Sequence, residues 1–138
     1  WEKLSGDSVK ETMGTGSYTT TFYVPSAQSK ADTQWALDLG DVRESARVWI
    51  NNKYVGCAWC VPFILECSNT VKAGKNTIRI DVTNLPANRI AAMDRKGIKW
   101  RKFNEINLVD LNYKNTTYGQ LEPVESGLNS KVTLYQVK

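Results

Sequence analysis

Trp35 to Asn84 reads WALDLGDVRESARVWINNKYVGCAWCVPFILECSNTVKAGKNTIRIDVTN, a series of short alternating runs separated by small turn residues. In ARVWI, Ala46, Val48 and Ile50 share one phase while Arg47 and Trp49 take the other. In TIRIDVT, Ile78, Ile80 and Val82 alternate with Thr77, Arg79, Asp81 and Thr83. Apolar residues at every second position place one face of a strand on a core, whereas a helix would need a period near 3.6. Asn51-Asn52 tolerates the left-handed backbone of a tight hairpin, and Ala73-Gly74-Lys75-Asn76 reads as a second turn before the next strand. The segment therefore predicts the centre of an antiparallel sandwich.

The flanks extend the pattern. SYTTTFYV alternates Tyr18, Thr20, Phe22 and Val24 against Thr19, Thr21 and Tyr23 until Pro25 ends it, and TQWALDL puts Trp35, Leu37 and Leu39 in phase, with Trp35 assigned to the core. Pro86 and Gly97 frame ANRIAAMDRK, good helix formers between a start and a stop signal, which predicts the single short helix or helical loop of the chain. INLVDLNYK and KVTLYQV add strands, separated by a loop through Asn115, Gly119 and the Pro123 to Ser130 region. Residues 1–16 are polar and read as a lead-in or edge segment. With around eight strands and turns every ten or so residues, the fold expected is all-β, an antiparallel β-sandwich or jelly roll.

At 138 residues the chain fits a single module, 1–138, able to bury roughly 70% of its extended surface without staples. No apolar run is long enough for a membrane span, and Trp1 to Thr20 holds no signal-peptide core. Starting at Trp, the chain reads as a mature fragment or excised module. It contains no histidine, which removes Ser-His-Asp and Cys-His hydrolases and histidine metal sites together. Cys57, Cys60 and Cys67 would need a carboxylate to complete a zinc site, so they read as small packing groups on and beside strands. There is no phosphate-binding glycine motif, because Gly14-Thr15-Gly16 precedes a strand and not a helix.

Three parts of the chain, LDLGDVRESARVWINNKYVG, the Trp59-Cys60-Val61-Pro62-Phe63 run and VKAGKNTIRIDVTN, resemble the galactose-binding-like jelly-roll module called the sugar-binding domain of glycoside hydrolase family 2. NLPANRIAAMDRKGIKWRKFNEINLVDLNYK and EPVESGLNSKVTL resemble in addition the C-terminal sandwich of large bacterial family 106 alpha-L-rhamnosidase-type enzymes, the likeness covering roughly residues 17 to 137. The resemblance implies a non-catalytic, carbohydrate-associated module of a secreted or periplasmic bacterial glycoside hydrolase. Its implied partners are plant or host polysaccharide, such as an acidic pectic glycan, and the catalytic domain of the parent chain.

The charge distribution points to one segment. Between residues 89 and 102 lie Arg89, Arg95, Lys96, Lys99, Arg101 and Lys102 against Asp94 alone, a net +5 in a chain whose total is +4. Trp100 is interleaved there. Such a patch can hold an anionic glycan through arginine forks, or form a solvated or domain-docking face. Outside it the net charge is −1, so no continuous track for nucleic acid exists. Sugar binding by a sandwich needs a flat aromatic face and planar polar groups, and the candidates are Trp59, Asn88, Arg89, Asp94, Trp100 and Arg101. Trp49 is a further aromatic whose strand phase turns it outward.

Catalysis by a carboxylate pair is the alternative, with Asp38, Asp41, Glu44, Glu66, Glu105, Asp110, Glu122 and Glu125 present. Asp38, Asp41 and Glu44 bracket a turn and serve as soluble turn residues, so no catalytic residue is assigned and the isolated module is not expected to be an enzyme. No cofactor is expected. A structural calcium held by loop oxygens is compatible with the fold, although no spaced Asp-x-Asp-x-Asp loop identifies one.

Overall fold

The computed structural model describes residues 1–29, 32–102 and 117–137. The strand expected over residues 106–114, the loop residue Asn115 and the acids Glu105 and Asp110 lie outside the described residues. The chain divides into two compact units, one of Trp1–Met13 with Pro86–Glu125 and the other of Gly14–Leu85 with Ser126–Lys138.

The larger unit is the expected β-sandwich. Its strands are β1 (Thr15–Val24), β2 (Gln34–Asp38), β3 (Val42–Arg43), β4 (Ser45–Ile50), β5 (Lys53–Ala58), β6 (Ile64–Glu66), β7 (Gly74–Thr83), β8 (Gly127–Leu128) and β9 (Thr133–Val137). They form a four-stranded sheet in the order β1-β7-β4-β5, a three-stranded sheet β6-β2-β9 and a two-stranded ribbon β3-β8, every pair antiparallel. A one-turn 3-10 helix at Ser26–Gln28 follows Pro25, the residue expected to stop β1.

The period-2 reading holds residue by residue. Ala46, Val48 and Ile50 are 0% exposed, and across the β4–β7 ladder they face Val82, Ile80 and Ile78, all buried. Each buried Val or Ile contributes about 1.5–3 kcal/mol relative to an exposed one, so a slip of one residue would forfeit several such terms at once and the register is strongly specified. Trp35, Leu37 and Leu39 are buried as expected, and Ala36 between the first two is buried as well. An apolar hollow of about 400 Å³ runs between the sheets, lined among others by Phe22, Trp35, Leu37, Ile80 and Leu134.

The turns carry the chemistry expected of them, with one difference. Asn51 and Asn52 have φ of 52° and 64°, the left-handed pair that a two-residue hairpin between β4 and β5 needs. Gly40 is also obligatory, with φ of 65° and a position where an added Cβ would lie 2.0 Å from Ser130 Oγ. Asn76, read from the sequence as part of a turn, lies inside β7 and is 1% exposed. It is buried because its carboxamide is consumed. Oδ1 accepts from Lys72 N at 3.0 Å and from Asn51 Nδ2 at 2.8 Å, while Nδ2 donates to Lys72 O at 2.7 Å and Gly74 O at 3.0 Å. The turn is earlier, and Asn76 is the peg that closes it.

The cysteines differ from the uniform packing role expected of them. Cys67 is buried, and loss of hydration, followed by the Glu66 charge, pushes its thiol up to about 11. Cys57 and Cys60 are exposed.

The smaller unit holds α1 (Asp7–Lys10) and α2 (Ala87–Arg95). Helix α2 fills the predicted window and is followed by Gly97 at φ 64°, the left-handed residue that commonly terminates a helix. The single turn α1 falls within the lead-in and was not expected as a helix. Among the described residues no helix is long and apolar enough to cross a membrane.

Candidate functional site

Helix α2 turns Asn88, Ala91 and Ala92 inward and leaves Arg89 exposed. Asn88 is 5% exposed, and its carboxamide closes a two-bond clamp on Val124, donating to the carbonyl at 2.7 Å and accepting from the amide at 2.7 Å. That geometry gives Asn88 the job of tethering the chain at Val124. Arg89 borders an open hollow of about 330 Å³ with Glu11, Thr12 and Lys96.

Asp94 sits near the C-terminal end of α2, where the helix dipole disfavours a carboxylate, and it is held there by three donors. Trp100 Nε1 donates to Oδ1 at 2.5 Å, while Tyr118 N and Thr117 Oγ1 donate to Oδ2 at 2.7 and 3.4 Å. The Tyr118 amide bond, then the Trp100 indole bond, hold the Asp94 carboxyl below its ordinary value despite some desolvation, with Arg101 adding a smaller favourable charge. The Arg101 guanidinium carbon lies 5.0 Å from the Trp100 ring centre and 5.5 Å from that of Tyr118, and the two rings are 6.3 Å apart. Asp94, Trp100 and Arg101 are thus brought into one cluster, and Tyr118 joins it. Sequence reading missed Tyr118, which lies in an aperiodic stretch and is recruited through its backbone amide.

The sign of the Asp94 shift makes the cluster acid-labile. A carboxyl whose folded pKa is depressed contributes stability that is present above its unfolded value, near pH 4, and is lost as pH falls through the folded value. Trp100 emission is expected to be constant from pH 8 to 5 and to change below pH 4, and Asp94→Asn is expected to abolish that acid transition. An unchanged transition in Asp94→Asn, measured as the difference from Trp100→Phe, would assign it to another carboxyl.

The basic segment is less cationic in the fold than in the sequence. Lys96 Nζ bonds to Glu11 Oε2, Arg95 Nη2 lies 4.0 Å from Glu11 Oε1, and Arg95 Nη1 donates to Gly119 O at 3.3 Å. Glu11 is 85 positions from Lys96, and no local count of charge includes it.

Trp59 belongs to the sandwich unit, in the connection after β5, and is 74% exposed with Val61 at 78%. Trp49 on β4 does face outward: the Arg79 guanidinium stacks 3.9 Å from its ring centre and Tyr54 lies 5.3 Å away at 55°. Several of the acids weighed for catalysis serve local structure. Asp38 Oδ1 accepts from Gly40 N at 2.8 Å, Asp41 Oδ1 pairs with Arg43 Nε at 2.7 Å, and Glu66 Oε1 accepts from Ser68 N at 2.9 Å.

A four-stranded and a three-stranded antiparallel sheet with a two-stranded ribbon, enclosing an apolar core and joined by short turns, define a β-sandwich module. The sequence pattern of the glycosyl hydrolase 2 galactose-binding domain-like family matches residues 9–122, and the chain belongs to that family. It is 38% identical over 106 residues to a putative beta-glucuronidase of Formosa agariphila, covering 72% of this chain and 9% of that protein. The rhamnosidase structure from Novosphingobium sp. PP1Y superposes with a TM-score of 0.74 at 26% identity, over 96% of this chain and 12% of that one. A beta-D-glucuronidase structure from Dictyoglomus thermophilum shares the fold, with a TM-score of 0.52 at 24% identity over 59% of this chain and 14% of that one. The chain spans about a tenth of the length of the first two of these proteins, 9% and 12%.

Proposed function

We propose that the chain is a non-catalytic, carbohydrate-associated module of a larger bacterial glycoside hydrolase, secreted or periplasmic, that makes weak contact with an acidic glycan through Trp100 and Arg101. The observation that carries this reading is the cluster around Asp94. There the indole is fixed by its Nε1 bond and the guanidinium rests over two aromatic rings, so side chains suited to a sugar face and a carboxylate are ordered before any ligand arrives. Membership of a family of galactose-binding-like domains and the small share of each relative that the chain spans support a module working beside a separate catalytic region.

A glycan array followed by calorimetry with acidic oligosaccharides tests the proposal. Affinity in the range of about 1 μM to 1 mM, roughly −8 to −4 kcal/mol, is expected, with a loss of at least about tenfold in Trp100→Ala and Arg101→Ala. Binding that is indifferent to both substitutions would remove the site, and hydrolysis of an aryl-rhamnoside by the purified chain would overturn the non-catalytic reading.

A second reading, docking on another domain of the parent chain, is favoured by the Trp59 and Val61 tip. Two large apolar side chains about three-quarters exposed in one short connection match the aromatic anchors that dominate protein interfaces. In the full-length parent enzyme, docking predicts that Trp59 is shielded from acrylamide quenching that reaches it in the isolated chain.

A further inference from the structure

The outer face of the four-stranded sheet carries a second arrangement that uses none of the residues of the Asp94 cluster. Arg79 on β7 lies directly opposite Trp49 on β4, and its guanidinium stacks on the indole at 3.9 Å. Its Nε is 3.3 Å from Asp81 Oδ1, and that oxygen also accepts from Ser17 Oγ at 2.6 Å. The guanidinium is therefore fixed by a ring on its face and a carboxylate at its inner nitrogen. Among the described residues its two terminal nitrogens have no partner, and the side chain is 48% exposed.

These groups border a recess of about 210 Å³ lined, among the described residues, by Trp49, Asn52, Thr77 and Arg79, none of them acidic. Its walls are rigid. Asn52 stands in the hairpin turn, and the neighbouring Asn51 ties that turn to β7, its N donating to Thr77 O at 2.8 Å and its Oδ1 accepting from Thr77 N at 3.1 Å. The β4–β5 register shifts between Val48 and Trp49, a bulge of the kind that re-aims a side chain, and Tyr54 braces the indole at 5.3 Å. One cation with a free planar fork, one carboxamide, one hydroxyl and one aromatic wall around a hollow suited to a single sugar ring form a small polar site on the sheet face.

We infer that this recess binds one carboxylate-bearing sugar unit, a uronate, with the carboxylate received by the terminal nitrogens of Arg79 and ring hydroxyls by Asn52 and Thr77. A guanidinium held in one orientation receives a carboxylate through two parallel bonds, which a neutral sugar cannot offer. Stacking the Arg79 guanidinium on Trp49 and bonding its Nε to Asp81 leaves less rotamer freedom to lose on binding.

The test uses the 138-residue chain in titrations with glucuronate and galacturonate, followed through the indole N–H resonance of Trp49 assigned with Trp49→Phe. Saturable shifts with either uronate, at least about tenfold weaker in Arg79→Gln and partly retained in Arg79→Lys, are expected, with Arg101→Ala leaving the response unchanged. Equal response to glucose or galactose would overturn the uronate assignment. Equal response to acetate would reduce the site to a carboxylate contact, and unchanged binding in Arg79→Gln would place the ligand elsewhere. Because the readout is local to Trp49 and independent of Arg101, its failure leaves the Trp100 proposal standing, and the reverse also holds.

Discussion

Val48→Asp is expected to leave the chain unfolded at neutral pH, whereas Trp49→Asp, one residue along the same strand, is expected to fold. Val48 is 0% exposed and faces Ile80 across the β4–β7 ladder. A carboxylate there is set among apolar side chains and either pays several kcal/mol of desolvation or takes up a proton. A domain stable by about 5–15 kcal/mol also loses the valine's own contribution of about 2 kcal/mol, which removes most of its margin. Trp49 is half-buried on the outer face of the sheet, so a charge at that position costs chiefly the ring contacts with Arg79 and Tyr54. Circular dichroism and amide chemical-shift dispersion of the two variants check the pair. Folding of both, or of neither, would contradict the alternation on which the sandwich rests.

Asn76→Ala is expected to cost about 3 kcal/mol, read as a shift of the urea midpoint at constant slope. The substitution leaves Lys72 N and Asn51 Nδ2 without this acceptor and the carbonyls of Lys72 and Gly74 without this donor, in a site where Asn76 is 1% exposed. Each buried group stripped of its partner costs about 1–3 kcal/mol, and partial hydration of the turn returns some of the total. Asn76→Asp separates bonding from shape. It keeps the acceptors but sets a negative charge 2.7 and 3.0 Å from two carbonyl oxygens, so it is expected to be no more stable than the alanine variant at pH 7. On the outer face of β1, Thr21→Ala is the control, expected within about 0.5 kcal/mol of the parent.

What the sequence disclosed and what it withheld divide along sequence distance. The alternation in ARVWI and TIRIDVT, the Asn51-Asn52 turn and the Pro86 to Gly97 helical window are local signals, and each is found where the residues put it. Partners that lie far along the chain leave no local signal: Asn84 Oδ1 accepts from Gly14 N, 70 positions away, and Asn88 grips Val124, 36 away. Glu11 offsets a basic segment that contains no acid but Asp94. In the candidate sites the same rule applies. The strand phase turned Trp49 outward, but the stacking of Arg79 upon it depends on which residue of β7 stands opposite, and register is a property of the assembled sheet.

The β1–β7 ladder has a consequence for how the protein is made. Thr15 pairs with Thr83, 68 positions later, and all ten residues of β1 find their partner on β7. At a synthesis rate of roughly 5–20 residues per second, a nascent β1 waits on the order of 3–14 s outside the ribosome before its complement emerges. During that interval water satisfies the hydroxyls of Ser17, Thr19 and Thr21 on one face, while Tyr18, Phe22 and Val24 on the other stay uncovered until β7 is available.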